Sequence, residues 1–243
     1  MAVEKVIITL RGAAADDAWC KALRGDVADD LLALHLPGLA INVRDEPVRD
    51  SMMTLTTLDP PVVGLVTVWI QQSYGAQLNS VLARLREVCS DVAAYLVTES
   101  VPLPATSPGP GERTDGLANV ALLRRPADLD PETWFRRWHI DHTPVAIATQ
   151  STFGYTQNAV VRPLTSGAPH LDAIVEELFP LEATKDLHAF FGAADDADLA
   201  DRMNRMVAST SAFGANTNVD TVPTSRYVFR SPFASAPTSK AVR

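Results

Sequence analysis

At 243 residues the chain can bury one large core or two cores of roughly 100 to 120 residues each. A formal net charge of −8, with no cluster of Lys or Arg, argues against nucleic acid and against an anionic membrane surface, since both need a concentrated basic face. No apolar run approaches the ~18 residues of a bilayer span, MAVEKVIITL reads as a strand in place of a secretion signal, and Cys20 and Cys89 lie far apart with no CxxC; a cytoplasmic protein with two reduced thiols is expected.

Residues 3 to 10 are rich in β-branched side chains and predict a strand ended by Arg11-Gly12. Ala13 to Arg24 reads as a helix with Ala15, Trp19, Ala22 and Leu23 on one face; Gly25 offers a stop, and Val27 to Leu36 adds a further turn or two. After the Pro37-Gly38 turn, Leu39 to Val43 is a second strand, and Asp45 to Pro61 is a polar, proline-bounded connection. Val62 to Gln71 is the strongest strand signal of the first half. Its two faces are both apolar, as expected where each is covered. Ala76 to Cys89 comes next as an amphipathic helix and Asp91 to Val101 as a strand, giving the order βαββαβ.

Residues 102 to 116 hold Pro102, Pro104, Pro108 and Pro110 with Gly109, Gly111 and Gly116, and have no periodicity. They predict a linker between a domain at 1–101 and a second at 117–230, with 231–243 as a flexible tail. The second domain repeats the first: strand Leu117 to Leu123, helix Asp130 to Thr149, strands Phe153 to Val161 and Ala173 to Phe179, a helical region from Leu181 to about Ala212, and strand Val219 to Phe229. The repetition implies an internal duplication. Each βαββαβ order is that of a ferredoxin-like unit, a four-stranded sheet with two helices on one face. Because the strands are apolar on both faces, the expected class is α+β: two such units packed sheet to sheet as an intramolecular dimeric α+β barrel.

Asp128 to Pro144, DLDPETWFRRWHIDHTP, is the most informative stretch. Asp130 is a good N-cap, Pro131 falls at the first helical position, and Leu129 and Trp134 have the spacing of a hydrophobic staple. Phe135, Trp138 and His142 line up on one helix face, with His139 one turn before His142. An imidazole in apolar surroundings can be tuned for acid–base chemistry, although a histidine on such a face is also a common core residue. Tyr155 and Gln157 share one face of their strand and could orient a polar substrate atom; the plainer reading packs Tyr155 in the core and leaves Gln157 at an edge. Glu176, between Ile174 and Leu178, needs a partner, and Arg124 or Arg125 is the obvious counter-ion. The H-x-x-H pair lacks a third ligand, so no metal site is expected. No GxGxxG, phosphate loop, GxSxG or HExxH is present, which leaves a nucleotide or organic cofactor unsupported.

The Leu122-Leu123-Arg124-Arg125-Pro126 run, Trp134-Phe135, Trp138 with His142-Thr143-Pro144, Tyr155 with Gln157-Asn158, and Asp172 with Glu176 make the second half similar to the EthD family of small dimeric α+β barrel proteins. The resemblance covers about residues 117 to 230, with W-x-x-x-H-x-P its most specific element; the first half has no histidine on its first helix. It implies a fused pair in which the second half keeps a site and the first is a degenerate copy. It also implies a small apolar or aromatic oxygenated partner molecule, since relatives include decarboxylases and dehydratases of aromatic polyketides. The resulting expectation is a cofactor-independent, lyase-like enzyme performing decarboxylation, dehydration or cyclisation. His142, His139 and Tyr155 would be catalytic, and Trp138, Gln157, Glu176 and Arg124 would bind substrate. A non-catalytic binding or accessory protein and, third, an oxygenase are the alternatives; a homodimer is compatible with each.

Overall fold

Strands that are apolar on both faces need cover on both sides and tolerate no exposed edge. In the computed structural model, which describes residues 3–12, 15–106 and 108–233, eight of them meet both demands by closing on themselves. They are β1 Glu4–Arg11, β2 Gly38–Val43, β3 Val62–Ile70, β4 Asp91–Leu103, β5 Leu117–Leu123, β6 Gly154–Pro163, β7 Ala173–Phe179 and β8 Asp220–Arg230. Around the closed barrel the order is β1-β3-β2-β8-β5-β7-β6-β4, every neighbouring pair antiparallel. Each half contributes the same local order, β4-β1-β3-β2 and β8-β5-β7-β6. The halves do not simply stack two sheets face to face, as the apolar patterning suggested. Their edges hydrogen-bond, β2 to β8 and β4 to β6, so the barrel is one continuous sheet.

Helices cover the outside. In the first half α1 Asp17–Ala22 runs through a π-helical turn, Leu23–Val27, into α2 Ala28–Ala33. The start is later than the periodicity predicts because the Asp16 side chain caps the helix at Trp19 N (2.8 Å), and Gly25 falls inside the π turn without stopping it. The expected connection 45–61 contains a short α3, Glu46–Arg49, and α4 spans Ala76–Arg86. In the second half α5 Pro131–Arg136 leads through a second π turn, Arg137–His142, into α6 Thr143–Thr149. A 3-10 turn at Leu181–Thr184, α7 Leu187–Phe191 and α8 Asp196–Ala212 fill the region expected to be one long helical stretch. Of the expected linker, Gly111 N and Thr114 N donate to Val228 O and Arg226 O (2.8 Å each), so this part runs along β8. Of the expected tail, Phe233 meets the Trp69 ring edge-on at 6.5 Å, and 234–243 lie outside the described residues. Among the described residues no helix is long and apolar enough to cross a membrane.

Strand alternation sorts the cores. Ile7, Leu65, Tyr95, Val120, Leu122 and Val222 point into the barrel and fill one end of it. Val6, Ile8 and Leu10 point outward under Leu23, Leu31, Val81 and Leu85, while Trp134, Trp138, Tyr155, Val175 and Phe213 form the matching outer core of the second half. Burial of each large aliphatic side chain contributes roughly 1.5–3 kcal/mol.

The filled end is closed by Arg124, whose Nη1 reaches Asp220 Oδ2 at 2.8 Å and Asn218 O at 2.9 Å. Both side chains are buried, 10% and 3% exposed. Burial pushes the Asp220 carboxyl up, but the Thr57 and Leu58 N–H groups, the Thr57 hydroxyl and Arg124 together outweigh it and hold it below the usual carboxylate range. Arg124 is therefore not the counter-ion of Glu176, which the strand-end position had suggested; it pairs with Asp220 at the filled end, away from Glu176. Replacing it, Arg124→Met, leaves a buried carboxylate unpaired and is expected to cost about 3–5 kcal/mol in urea denaturation at pH 7. A loss near zero would mean that the pair is solvated.

Candidate functional site

The second-half helix begins as its sequence dictates, with Asp130 Oδ1 accepting from Thr133 N at 2.9 Å and Pro131 at the first position. Trp134 and Trp138 then bury completely against the sheet, their rings 5.2 Å apart. The turn from Arg137 to His142 departs from an ideal helix. Pro144 lacks the N–H that would close on the preceding turn. The chain responds by widening into the π turn, not by ending or going extended at Thr143, whose φ −54° and ψ −45° remain helical. Thr143 N and its hydroxyl both bond to Trp138 O, and Gln157 Nε2 donates to Thr143 Oγ1 at 2.8 Å. Gln157 is thus tied to the helix and anchors the π turn onto β6.

His142 lies against α8. Nδ1 shares a 2.9 Å hydrogen bond with Ser209 Oγ, the ring sits 4.9 Å from that of Phe213, and the residue is 7% exposed. Burial lowers its pKa to about 4, so it is neutral at pH 7. His139 is on the flank, its ring 4.4 Å from Trp138; burial lowers its pKa as well, and its Nε2 is buried without a hydrogen-bond partner among the described residues. Neither imidazole lines either of the connected hollows at the open end of the barrel. Among the described residues no group of three or more His, Cys, Asp or Glu could hold a metal.

Tyr155 and Trp138 are brought together in the outer core. Glu176 is not with them. It points into the barrel, where Oε1 accepts from Arg226 Nε and Oε2 from Asn42 Nδ2, each at 2.8 Å, because residues of opposite parity on β7 face opposite ways. The carboxyl on the helix side is Glu177. Asn119, Glu177 and Tyr155 form one cross-strand row over β5, β7 and β6. Glu177 is half-buried and makes no ion pair or hydrogen bond with the described residues; the protein around it raises its pKa to about 8. Burial first, and then the Glu177 charge, pushes the Tyr155 hydroxyl up. Asn119 Oδ1 is buried without a partner among the described residues, and the Trp138 indole N–H faces the Tyr155 hydroxyl. Sequence reasoning passed over Glu177 because Ala173, Val175 and Phe179 are as apolar as Ile174 and Leu178, so β7 gives no cue to which parity faces the helices.

A neutral buried His142 has a pH signature. Its folded pKa, about 4, lies below the ordinary 6.5, so the unfolded chain binds the extra proton and stability falls as pH drops from 6.5 toward 4. Between pH 7 and pH 4.5 the wild-type chain should lose about 2 kcal/mol more stability than His142→Gln. Equal losses in urea titrations would place the ring in a solvated setting.

No family model matches the chain, and no curated protein does. Solved structures do. An anthrone oxidase-like protein superposes with a TM-score of 0.51 at 8% identity, covering 96% of each chain. A candidate monooxygenase from Lactobacillus acidophilus NCFM gives 0.46 at 9% identity over 97% of this chain and 99% of that one. A chlorite dismutase from Candidatus Nitrospira defluvii gives 0.45 at 11% identity over 92% and 90%. At such an identity the likeness to the anthrone oxidase-like protein is one of fold alone.

Proposed function

We propose that the chain is a small-molecule enzyme built from two ferredoxin-like halves by internal duplication, 1–101 and 117–230, and that the second half works by proton transfer at Glu177. The W-x-x-x-H-x-P element at Trp138, His142 and Pro144 supports kinship of that half with EthD proteins. The π turn at the same point of the first helix in both halves, six helical residues after its start, supports the duplication.

One observation carries the reading: a cross-strand row of polar groups under the second-half helix, Asn119, Glu177 and Tyr155, in which neither Asn119 Oδ1 nor the Glu177 carboxyl has a partner among the described residues. A buried donor or acceptor without a partner costs roughly 1–3 kcal/mol. Asn119 Oδ1 stands in this condition; beside it in the row are the half-buried, unpaired Glu177 carboxyl and the Tyr155 hydroxyl, which the Trp138 indole N–H faces. A bound molecule with two or three oxygens on an aromatic body would satisfy them. With a pKa of about 8, Glu177 populates both protonation states near neutrality, as a general acid or base must. Protonated, it delivers a proton to a departing hydroxyl or an enolate carbon; ionised, it removes one next to a carbonyl. Tyr155, kept neutral, and the Trp138 indole N–H would donate to the oxygen where negative charge develops. This is the chemistry of a dehydration, decarboxylation or cyclisation of a small aromatic oxygenated substrate. In this reading His142 packs the helix against α8 and moves no proton.

The test begins with a thermal-shift screen of phenols, aromatic acids and aromatic ketones, since a bound ligand stabilises by mass action. On the substrate so found, Glu177→Gln is expected to lower turnover by about 10²–10⁴-fold. A second readout needs no substrate. The folded carboxyl keeps its proton up to pH 8 while the unfolded one loses it near 4.5, so wild-type stability falls as pH rises across that window. Glu177→Gln should lack that fall. Unchanged turnover in a variant that has lost the pH slope would leave a buried carboxyl with no catalytic part.

A further inference from the structure

The inner face of the sheet carries a second polar group set, on the opposite side of the strands from Glu177. At the barrel end away from Arg124, Lys5 of β1 pairs with Glu99 of β4, and Glu176 is taken by Arg226 and Asn42. These side chains floor a hollow of about 700 Å³ at the mouth, walled by Trp69, Val101, Leu178, Phe229 and Phe233. A narrow extension of about 30 Å³ shares Lys5, Trp69, Glu176 and Arg226 with it and reaches Asn158, whose Oδ1 is buried without a partner among the described residues.

Two features separate this mouth from a barrel end that is merely kept wet. Protein interiors leave few voids larger than a water molecule, whereas this one has the size of a small-molecule pocket. Its charges are also costly to keep: the Lys5 side chain is 10% exposed, and apolar residues in place of a buried ion pair are often at least as stable. The donor count then says what the hollow would take. An ammonium has three donors. Glu99 occupies one, the Trp69 ring faces the nitrogen at 5.1 Å, and no other described residue accepts from it. Both Glu176 oxygens, in contrast, are already used.

We infer that the barrel mouth is a binding site for a small monocarboxylate with an apolar or aromatic body, its carboxylate on Lys5 and its body against Trp69 and Leu178. Glu99 holds the Lys5 nitrogen in place and, with Glu176, opposes the downward pull of burial on its pKa; Arg226 balances Glu176, so the four charges of the floor sum to zero when Lys5 is protonated. The site is separate from the Glu177 layer and does not depend on it.

Octanoate and 4-phenylbutyrate are the probes, titrated calorimetrically into the full chain at pH 7 beside their alcohols, octanol and 4-phenylbutanol. Saturable binding of the acids is expected, with the alcohols at least about tenfold weaker, as one charge-assisted hydrogen bond would give. Lys5→Met should bring the acids down to the level of the alcohols. Val101→Trp, which fills the rim and leaves the charged floor intact, should abolish binding even if Lys5→Met folds poorly. Glu177→Gln should leave both acids unaffected. No saturable binding of the acids, alcohols binding as tightly as acids, or acids binding undiminished to Val101→Trp would each overturn the assignment; a loss confined to Glu177→Gln would place the probe in the other layer and overturn it too.

Discussion

The pairing of β2 with β8 and of β4 with β6 is the constraint on which the rest of the molecule depends. Once these two seams form, every strand has a neighbour on each side, and each residue of the sheet faces either the lumen or the helices. No third environment exists for a strand residue. A side chain's chemistry is then fixed by its parity alone. Glu176 and Glu177 are adjacent in sequence, yet one is ion-paired inside the barrel and the other is half-buried and unpaired on the helix side.

Within that frame the halves share a layout and differ in content. Both first helices carry a π turn at the same point, but only the second half places Trp134, Trp138 and Tyr155 beneath it. The first half fills the corresponding space with aliphatic residues such as Leu23, Val27 and Leu31. Aliphatic side chains pack without polar obligations, whereas an indole N–H and a phenol bring donors that the core must satisfy or leave for something else. The second-half layer keeps a carboxyl and an amide oxygen without partners among the described residues, whereas the few polar atoms of the first-half layer, the Trp19 indole and the Tyr227 hydroxyl, are bonded to Val88 O and Asp45.

Much of the architecture is legible in the chain itself. The strands lie within a few residues of where β-branched runs and turn residues put them, β5 and β7 with the same bounds, because each run is short, apolar and punctuated. The cap at Asp130 is equally local. The features that escape a reading of the sequence are set by partners far along the chain. Gln157 reaches Thr143 beside the π turn, Arg124 is claimed by Asp220, and His142 is turned toward Ser209 on α8 and Phe213 just past its end. Lys5 and Glu99 draw no attention at all, since single charges on apparent strands usually face water. The parity of β7 is undecidable from the sequence because both its faces are apolar.

The covalent joining of the halves has its own consequence at the lumen. In a pair of identical subunits, anything bound on the shared axis could sit in two equivalent poses, and each substitution would appear twice. Here the mouth draws Lys5 and Glu99 from one half and Glu176 and Arg226 from the other. That arrangement has no dyad, so a guest at the mouth is offered one rotational setting about the barrel axis where two matching chains would offer a pair.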